Sequence, residues 1–244
     1  MDNPPVQATN SFNLFTIIQK SWERFWTYSN QIIAVSALVT IITMTLTYLN
    51  GGLDQVKANL GLIDPFNNPE QFTSTLRVSF TSLVILLNGI FTTLGSGVII
   101  SILHNSSRNI ANEIRAVLPK TLPLLIAGFL GTLAVLGGII LFIIPGIVLG
   151  IWFMFAPTVV VVENKSAIDA LKRGNGLVKG KFWSVLLITL LGFILLAALS
   201  ATISTIPVFG PLASDILLWP FTVVFIYSLY TELIHFHARE NNTQ

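Results

Sequence analysis

The sequence predicts an all-α integral membrane protein with six transmembrane helices, and two observations carry that prediction. Of its 244 residues, 53% are hydrophobic and only 10% are charged, whereas soluble domains are near a quarter charged. The few charges are also confined to segments between long uncharged runs. This composition argues against a soluble enzyme, a disordered chain and a nucleic-acid binder.

Long uncharged stretches define the first five spans, since a helix needs about 20 apolar residues to cross a bilayer. The sixth span is predominantly apolar but contains Asp215. The longest uncharged run is too long for one crossing. Pro145 and Gly146 are predicted to divide it at a hairpin, because proline removes a backbone donor and disfavours helix before it. Pro207, Gly210 and Pro211 are predicted to form the corresponding turn after the fifth span. The predicted spans are Gln31–Asn50, Val78–Leu103, Leu122–Ile144, Gly146–Val162, Phe182–Ile206 and Leu212–Glu232.

Lysine and arginine set the expected orientation, because cytoplasmic loops are enriched in both. Of the 13 basic residues, only Lys57 and Arg77 fall on one side of the predicted spans. All the others fall on the opposite side, together with both termini. We therefore expect a multi-pass protein of the cell (plasma or inner) membrane with both termini in the cytoplasm.

Each basic segment that precedes a pair of spans has the apolar periodicity of an amphipathic helix. These three segments are Phe12–Tyr28, Asn109–Leu118 and Ser166–Arg173, and helices of this kind suit the membrane interface. The sequence therefore predicts a single domain, 1–244, that could be built from three hairpin repeats. The units are 11–104, 105–162 and 163–235, followed by a short cytoplasmic tail at 236–244.

The candidate lipid-binding site is a basic cluster beside the fifth span, with a tryptophan that is expected to anchor at the interface. Cations on the side of the anionic leaflet each add about 1 kcal/mol of attraction to such a surface. The alternative is that these residues act only as the topology signal. The candidate residues are Lys172, Arg173, Lys179, Lys181 and Trp183.

No catalytic constellation is visible, and we expect a protein that is not an enzyme. No ionisable residue lies in the middle of a predicted span, which is where proton and ion relays usually place one. The chain has no cysteine. His235 and His237 lie two residues apart and so point to opposite sides of a helix. We therefore expect neither a metal site nor a cofactor.

Polar side chains recur at helical spacing along the first two spans. They offer either a polar path or groove for a headgroup, or simple helix packing, since small and polar residues let membrane helices approach. The stripe on the first span is Ser36, Thr40, Thr43 and Thr47, and the stripe on the second is Asn88, Thr92 and Ser96.

An ordered series of motifs lies between residues 144 and 183. The series is Ile144-Pro145-Gly146-Ile147, an aromatic span with Ala156-Pro157 that ends at Glu163, Ala170-Leu171-Lys172-Arg173, and Lys179-Gly180-Lys181-Phe182-Trp183. It resembles prokaryotic six-span membrane proteins of the glycerophosphoryl diester phosphodiesterase membrane-domain type. Gly174-Asn175-Gly176 departs from that pattern, which leaves the continuity of the local helix open.

The resemblance implies a six-helix, all-α membrane fold and no activity. In proteins named for the phosphodiesterase, hydrolysis belongs to a separate soluble barrel that follows the membrane part. We expect no such domain in this chain, because Gln244 follows closely on the sixth span.

The leading hypothesis is a non-enzymatic membrane module that engages membrane lipids, anionic ones included, or a partner protein through its basic cytoplasmic helices. The alternative is a transporter or channel for a small or lipidic solute. A water-filled cavity lined by the two polar stripes would favour the transporter. A solid core would favour the module, and phospholipid headgroups at Lys172 and Arg173 would favour lipid binding.

Overall fold

The computed structural model describes the backbone of residues 13–59, 70–205 and 209–242, and these residues form ten α-helices, one short 3-10 turn and no strand. The helices are α1 (Leu14–Thr27), α2 (Ser29–Asn59), α3 (Glu70–Asn105), α4 (Ile110–Val117), α5 (Thr121–Leu141), α6 (Ile143–Phe153), α7 (Ala156–Glu163), α8 (Ala167–Val178), α9 (Phe182–Ser204) and α10 (Phe209–Asn242).

Six helical stretches are long and apolar enough to cross a membrane, which confirms the predicted fold class. The third stretch includes α4 and α5, and the fourth is α6 followed by α7. In chain order, each of the short helices α1, α4 and α8 thus comes before a pair of long apolar helical segments. The six stretches are Ser29–Leu49, Thr81–Asn105, Ile110–Leu141, Ile143–Glu163, Phe182–Ile203 and Leu212–Arg239.

The three short helices begin at residues that suit a helix start. Asn13, Asn109 and Ser166 each accept a hydrogen bond from a backbone amide in the first turn that follows. Such caps satisfy amides that have no partner within the helix. At α8 the Ser166 hydroxyl also donates to the Asp169 carboxylate, at 2.6 Å.

The turn between α5 and α6 lies at Phe142, three residues before the predicted Pro145. Phe142 has extended backbone angles (φ −159°, ψ 141°) and separates the two helices. Pro145 is the third residue of α6, a position in the first turn where its missing amide hydrogen costs nothing. The boundary predicted between Leu122–Ile144 and Gly146–Val162 was therefore wrong by a few residues.

Gly146 lets the two helices of this hairpin approach each other closely. A Cβ atom added at Gly146 would lie 2.8 Å from the backbone nitrogen of Ile139. Of the other predicted turn residues, Pro207 lies outside the described residues. Gly210 and Pro211 lie in the first turn of α10.

Helix α8 continues without a break through Gly174-Asn175-Gly176 and ends at Val178. Gly174 is buried, and a Cβ atom added there would overlap the carbonyl oxygen of Trp152 in α6. The departure from the family pattern therefore marks a close contact between helices rather than a helix end.

The buried core lies near the end of the bundle that carries α1, α4, α8 and the C-terminal part of α10. We call this end the basic end. Its fully buried side chains come from most of the helices, and they include Ile32, Ile99, Val159, Leu177 and Phe225. The spans are therefore packed most tightly at the basic end.

Candidate functional site

Charged side chains hold each of the three short helices against a span at the basic end. On α1, the Arg24 guanidinium donates from Nη1 to Ser228 Oγ at 3.0 Å and to Thr231 Oγ1 at 2.9 Å, both on α10. The same guanidinium lies 5.3 Å from the centre of the Tyr227 ring. Lys20 pairs with Glu232 one turn further along α10. Helix α1 is therefore fixed to the sixth span by polar contacts.

On α4, a buried carboxylate makes the equivalent contact. Glu113 is 5% exposed, and its Oε2 accepts hydrogen bonds from Ser101 Oγ at 2.6 Å and from Asn105 Nδ2 at 2.8 Å on α3. Buried charge is tolerated only when it is hydrogen-bonded or paired. This carboxylate therefore has a structural role that joins α4 to the second span.

On α8, Arg173 forms the third contact. Its Nε lies 3.1 Å from Glu163 Oε1 and 3.3 Å from Oε2, at the end of α7. The Tyr230 hydroxyl donates to the same Oε1 at 2.9 Å, and Lys165 Nζ lies 3.3 Å from Oε2. The Glu163 carboxylate thus joins α7, α8 and α10.

Within the predicted basic cluster, some residues contact other side chains of the protein and others are exposed. Arg173 is bound to Glu163, and Lys181 Nζ lies 4.3 Å from the centre of the Phe236 ring. Lys172 and Lys179 are exposed. Trp183 is 73% exposed, as expected of an anchor. The cluster therefore presents two free lysines and a tryptophan, not four equivalent cations, and lipid binding there remains a prediction.

The sequence analysis missed the buried role of Glu113 and read Glu163 only as the acid that ends a span. A signal for both was present, because each acid lies within a predominantly basic segment next to an apolar run. An acidic residue in such a segment reduces its attraction to an anionic leaflet. Its presence there is therefore better explained by a polar contact within the protein than by contact with lipid.

The second feature is a cavity of about 700 Å³ in the half of the bundle away from the basic end, between α2, α3 and α10. Both predicted polar stripes contribute to its wall. The described residues that line it are Val39, Thr40, Thr43, Met44, Thr47, Tyr48, Asn88, Thr92, Asp215 and Trp219.

The polar groups of the wall are mostly hydrogen-bond acceptors. Thr43 Oγ1 donates to the Thr40 carbonyl at 3.1 Å, and Thr47 Oγ1 donates to the Thr43 carbonyl at 2.8 Å. Thr92 Oγ1 donates to the Asn88 carbonyl at 2.8 Å. The hydroxyl hydrogens of these three threonines are thus used by their own helices, and lone pairs of their oxygens remain available.

The stripes do not line the cavity over their whole length. Ser36 is fully buried nearer the basic end, and its hydroxyl donates to the Ile216 carbonyl at 2.8 Å. Ser96 Oγ donates to the Thr93 carbonyl within its own helix. The cavity is thus bounded on the basic side by packed side chains, Val39 among them. The packing interpretation holds for the inner part of each stripe, and the cavity interpretation holds for the outer part.

The fold and these two features define the class of this protein, a multi-pass, all-α integral membrane protein. The chain belongs to the family described as a domain of unknown function (DUF7847), whose match covers residues 67–234. It is also 26% identical, over 204 residues, to a UPF0259 membrane protein of Pectobacterium carotovorum subsp. carotovorum (strain PC1). That match covers 77% of this chain and 82% of the relative.

No solved structure matches this chain. Neither match names the glycerophosphoryl diester phosphodiesterase membrane domain, so that resemblance stays a prediction. The comparisons agree with the structure on an integral membrane protein of an uncharacterised family.

Proposed function

We propose that this protein is a carrier for a small or lipidic solute, which it accepts into the cavity between α2, α3 and α10. The observation that supports this proposal is the lining of that cavity by Thr43 and Thr47 from one stripe and Asn88 and Thr92 from the other. A cavity of about 700 Å³ has the size of small-molecule sites in general. The packed basic end then serves as the closed side of the carrier.

Substituted cysteines test this proposal cleanly, because the native chain contains no cysteine. Thr43→Cys and Thr47→Cys place a thiol in the cavity wall, while Thr45→Cys is the matched control, since Thr45 is exposed on the same helix and does not line the cavity. We expect a membrane-impermeant maleimide to label residues 43 and 47 and to leave residue 45 unlabelled. The reason is that the thiolate, the reactive form, needs water.

The two sides of the membrane distinguish a carrier from a static binding module. For a carrier, Thr43→Cys reacts in intact cells and also in inverted vesicles, because the protein alternates between two closed ends. Labelling from one side only would favour a static module. Equal labelling of residues 43 and 45, or none at either, would contradict the cavity itself.

We propose that the basic end faces the cytoplasm. Asn175→Cys, exposed on α8, should then resist the impermeant reagent in intact cells, whereas Thr205→Cys, exposed after α9, should react. Inverted vesicles should reverse the pattern. The opposite result in both preparations would invert the proposed topology.

A second candidate function, engagement of anionic lipid, is supported by the exposure of Lys172, Lys179 and Trp183. It is also supported by a groove of about 370 Å³ between α1, α2, α9 and α10, lined by apolar and aromatic side chains such as Trp22 and Leu196. Such a lining suits an acyl chain. Binding of a partner protein at the basic end stays a prediction.

The pair Lys172→Gln and Lys179→Gln should lower the amount of anionic lipid that co-purifies with the protein, by roughly 1 kcal/mol of affinity per charge. Added salt should mimic the change, since it screens exposed charges. The matched control is Arg108→Gln with Arg115→Gln, two exposed cations elsewhere at the basic end. Mass spectrometry should show less bound anionic lipid for the pair at residues 172 and 179 than for the control pair. An equal loss of anionic lipid in both pairs would indicate a general effect of charge and contradict a specific site.

A further inference from the structure

We propose that the cavity between α2, α3 and α10 binds a solute through an ammonium group, and that Asp215 is the residue that binds the charge. This inference rests on the proposed function, since it names the chemical class that the same cavity would hold. It applies equally to a free organic ammonium ion and to a lipid headgroup that carries one.

The charge of the lining supports a cationic ligand. Among the described residues that line the cavity, Asp215 is the one that carries a charge, and none is basic. Across the described part of the chain, no cation lies within pairing distance of its carboxylate. Asp215 is exposed at the surface of the folded chain, so its carboxylate is accessible to a ligand. It also lies within a membrane-spanning stretch, where a carboxylate favours a nearby counter-charge. A bound cation would supply one.

The hydrogen-bonding pattern supports the same class. The hydroxyl hydrogens of Thr43, Thr47 and Thr92 are donated to backbone carbonyls, so these side chains offer lone pairs to the cavity. Asn88 donates from Nδ2 to Thr47 at 3.4 Å, while its buried Oδ1 has no hydrogen-bond partner among the residues that the structure describes. A protonated amine is a pure donor and complements a wall of acceptors, whereas a quaternary ammonium group would be held by its charge and by aromatic rings.

Aromatic rings complete the argument. Trp219 and Tyr48 both line the cavity, and aromatic faces attract ammonium ions, quaternary ones included. The position of the Trp219 ring is fixed by α3, because a Cβ atom added at Gly95 would lie 2.9 Å from its Cη2 atom. The cavity thus combines a carboxylate, acceptor oxygens and an aromatic face.

The test measures protection of a cavity thiol. Purified Thr43→Cys protein is placed in nanodiscs of phosphatidylglycerol, which carries no ammonium group, and is reacted with a neutral maleimide. Choline is the soluble probe and acetate is the anionic control. In parallel, the same protein is placed in nanodiscs that contain phosphatidylethanolamine. We expect slower labelling with choline or in the phosphatidylethanolamine discs, and no effect of acetate.

Two matched variants locate the charge. Asp215→Asn removes the carboxylate without changing its shape, and Glu23→Gln removes an exposed carboxylate of α1 far from the cavity. Choline should need a concentration roughly tenfold or more higher for half-protection in the Asp215→Asn background, because its quaternary ammonium group has no N–H and would be held there by the attraction of opposite charges. Glu23→Gln should match the parent. As a control, the thiol at residue 43 should react at the same rate in both variants and in the parent when no choline is present, which would show that both variants keep the cavity.

The outcomes separate this inference from the proposed function. Protection by choline indicates a free ammonium solute, and protection only in the phosphatidylethanolamine discs indicates a headgroup; either result supports the inference. Normal labelling with no protection by either, equal protection by acetate, or an unchanged response in Asp215→Asn overturns it while leaving the cavity intact. A residue 43 thiol that never reacts overturns the water-filled cavity, and the inference with it.

Discussion

Gly174→Ala is expected to destabilise the protein by about 1–3 kcal/mol or more, the cost of overpacking a tight contact. The reason is geometric, because a Cβ atom at this position overlaps the carbonyl oxygen of Trp152. That oxygen belongs to the backbone of α6 and cannot rotate away as a side chain can. Helix α8 or α6 must therefore move, and the contacts of α8 at the basic end move with it.

Gly176→Ala is the matched control, two residues further along the same helix. Nothing lies within 4 Å of a Cβ atom built there. In an exposed helix interior, alanine is favoured over glycine by about 1 kcal/mol, so this variant should be as stable as the parent or more stable. Thermal unfolding in nanodiscs compares the three proteins. A Gly174→Ala melting temperature equal to that of the parent would contradict the close packing of α8 on α6.

Arg173→Gln is expected to cost about 1.5–3 kcal/mol, the range for hydrogen bonds that involve charged groups. Arg173 is the residue of α8 that contacts Glu163, whose carboxylate also accepts from Tyr230 on α10. Removal of the guanidinium leaves a half-buried carboxylate with Lys165 as its remaining cation. The junction of α7, α8 and α10 should loosen as a result.

Lys172→Gln is the control for this prediction, since the neighbouring lysine is exposed and should tolerate the change within about 0.5 kcal/mol. The two residues look alike in the sequence, so the comparison isolates the effect of the partner. Denaturant unfolding of the purified protein measures the difference. Equal stabilities for the two variants would show that the contact between Arg173 and Glu163 contributes nothing.

The first five spans could be predicted because they lie in long uncharged runs, and the sixth because it is predominantly apolar; both are local properties of the sequence. The starts of α4 and α8 could also be predicted from local sequence, since the capping residues Asn109 and Ser166 begin the predicted amphipathic segments. The first segment was predicted from Phe12, one residue before the cap Asn13. The hairpin was placed three residues late because proline was taken as the turn itself. Proline in fact fits the first turn of a helix, and the turn falls on Phe142.

The partners of the charged residues could not be predicted, because they lie far apart in the sequence. Arg24 meets Ser228 and Thr231 only after six spans have packed. The place of Asp215 on the cavity wall depends on the packing of α10 against α2 and α3. The polar stripes were visible, but their division into packed and open parts depends on the same three-helix arrangement.

The most direct test of the central claim is whether the cavity holds water while the opposite face of the same helix contacts lipid. Spin labels at Thr43, Thr45 and Thr47 report this through their relaxation by a water-soluble nickel chelate and by oxygen, which concentrates in lipid. The carrier account predicts that nickel dominates at residues 43 and 47 and that oxygen dominates at residue 45. Oxygen dominating at all three positions would contradict it, because the cavity wall would then be part of the lipid-facing surface.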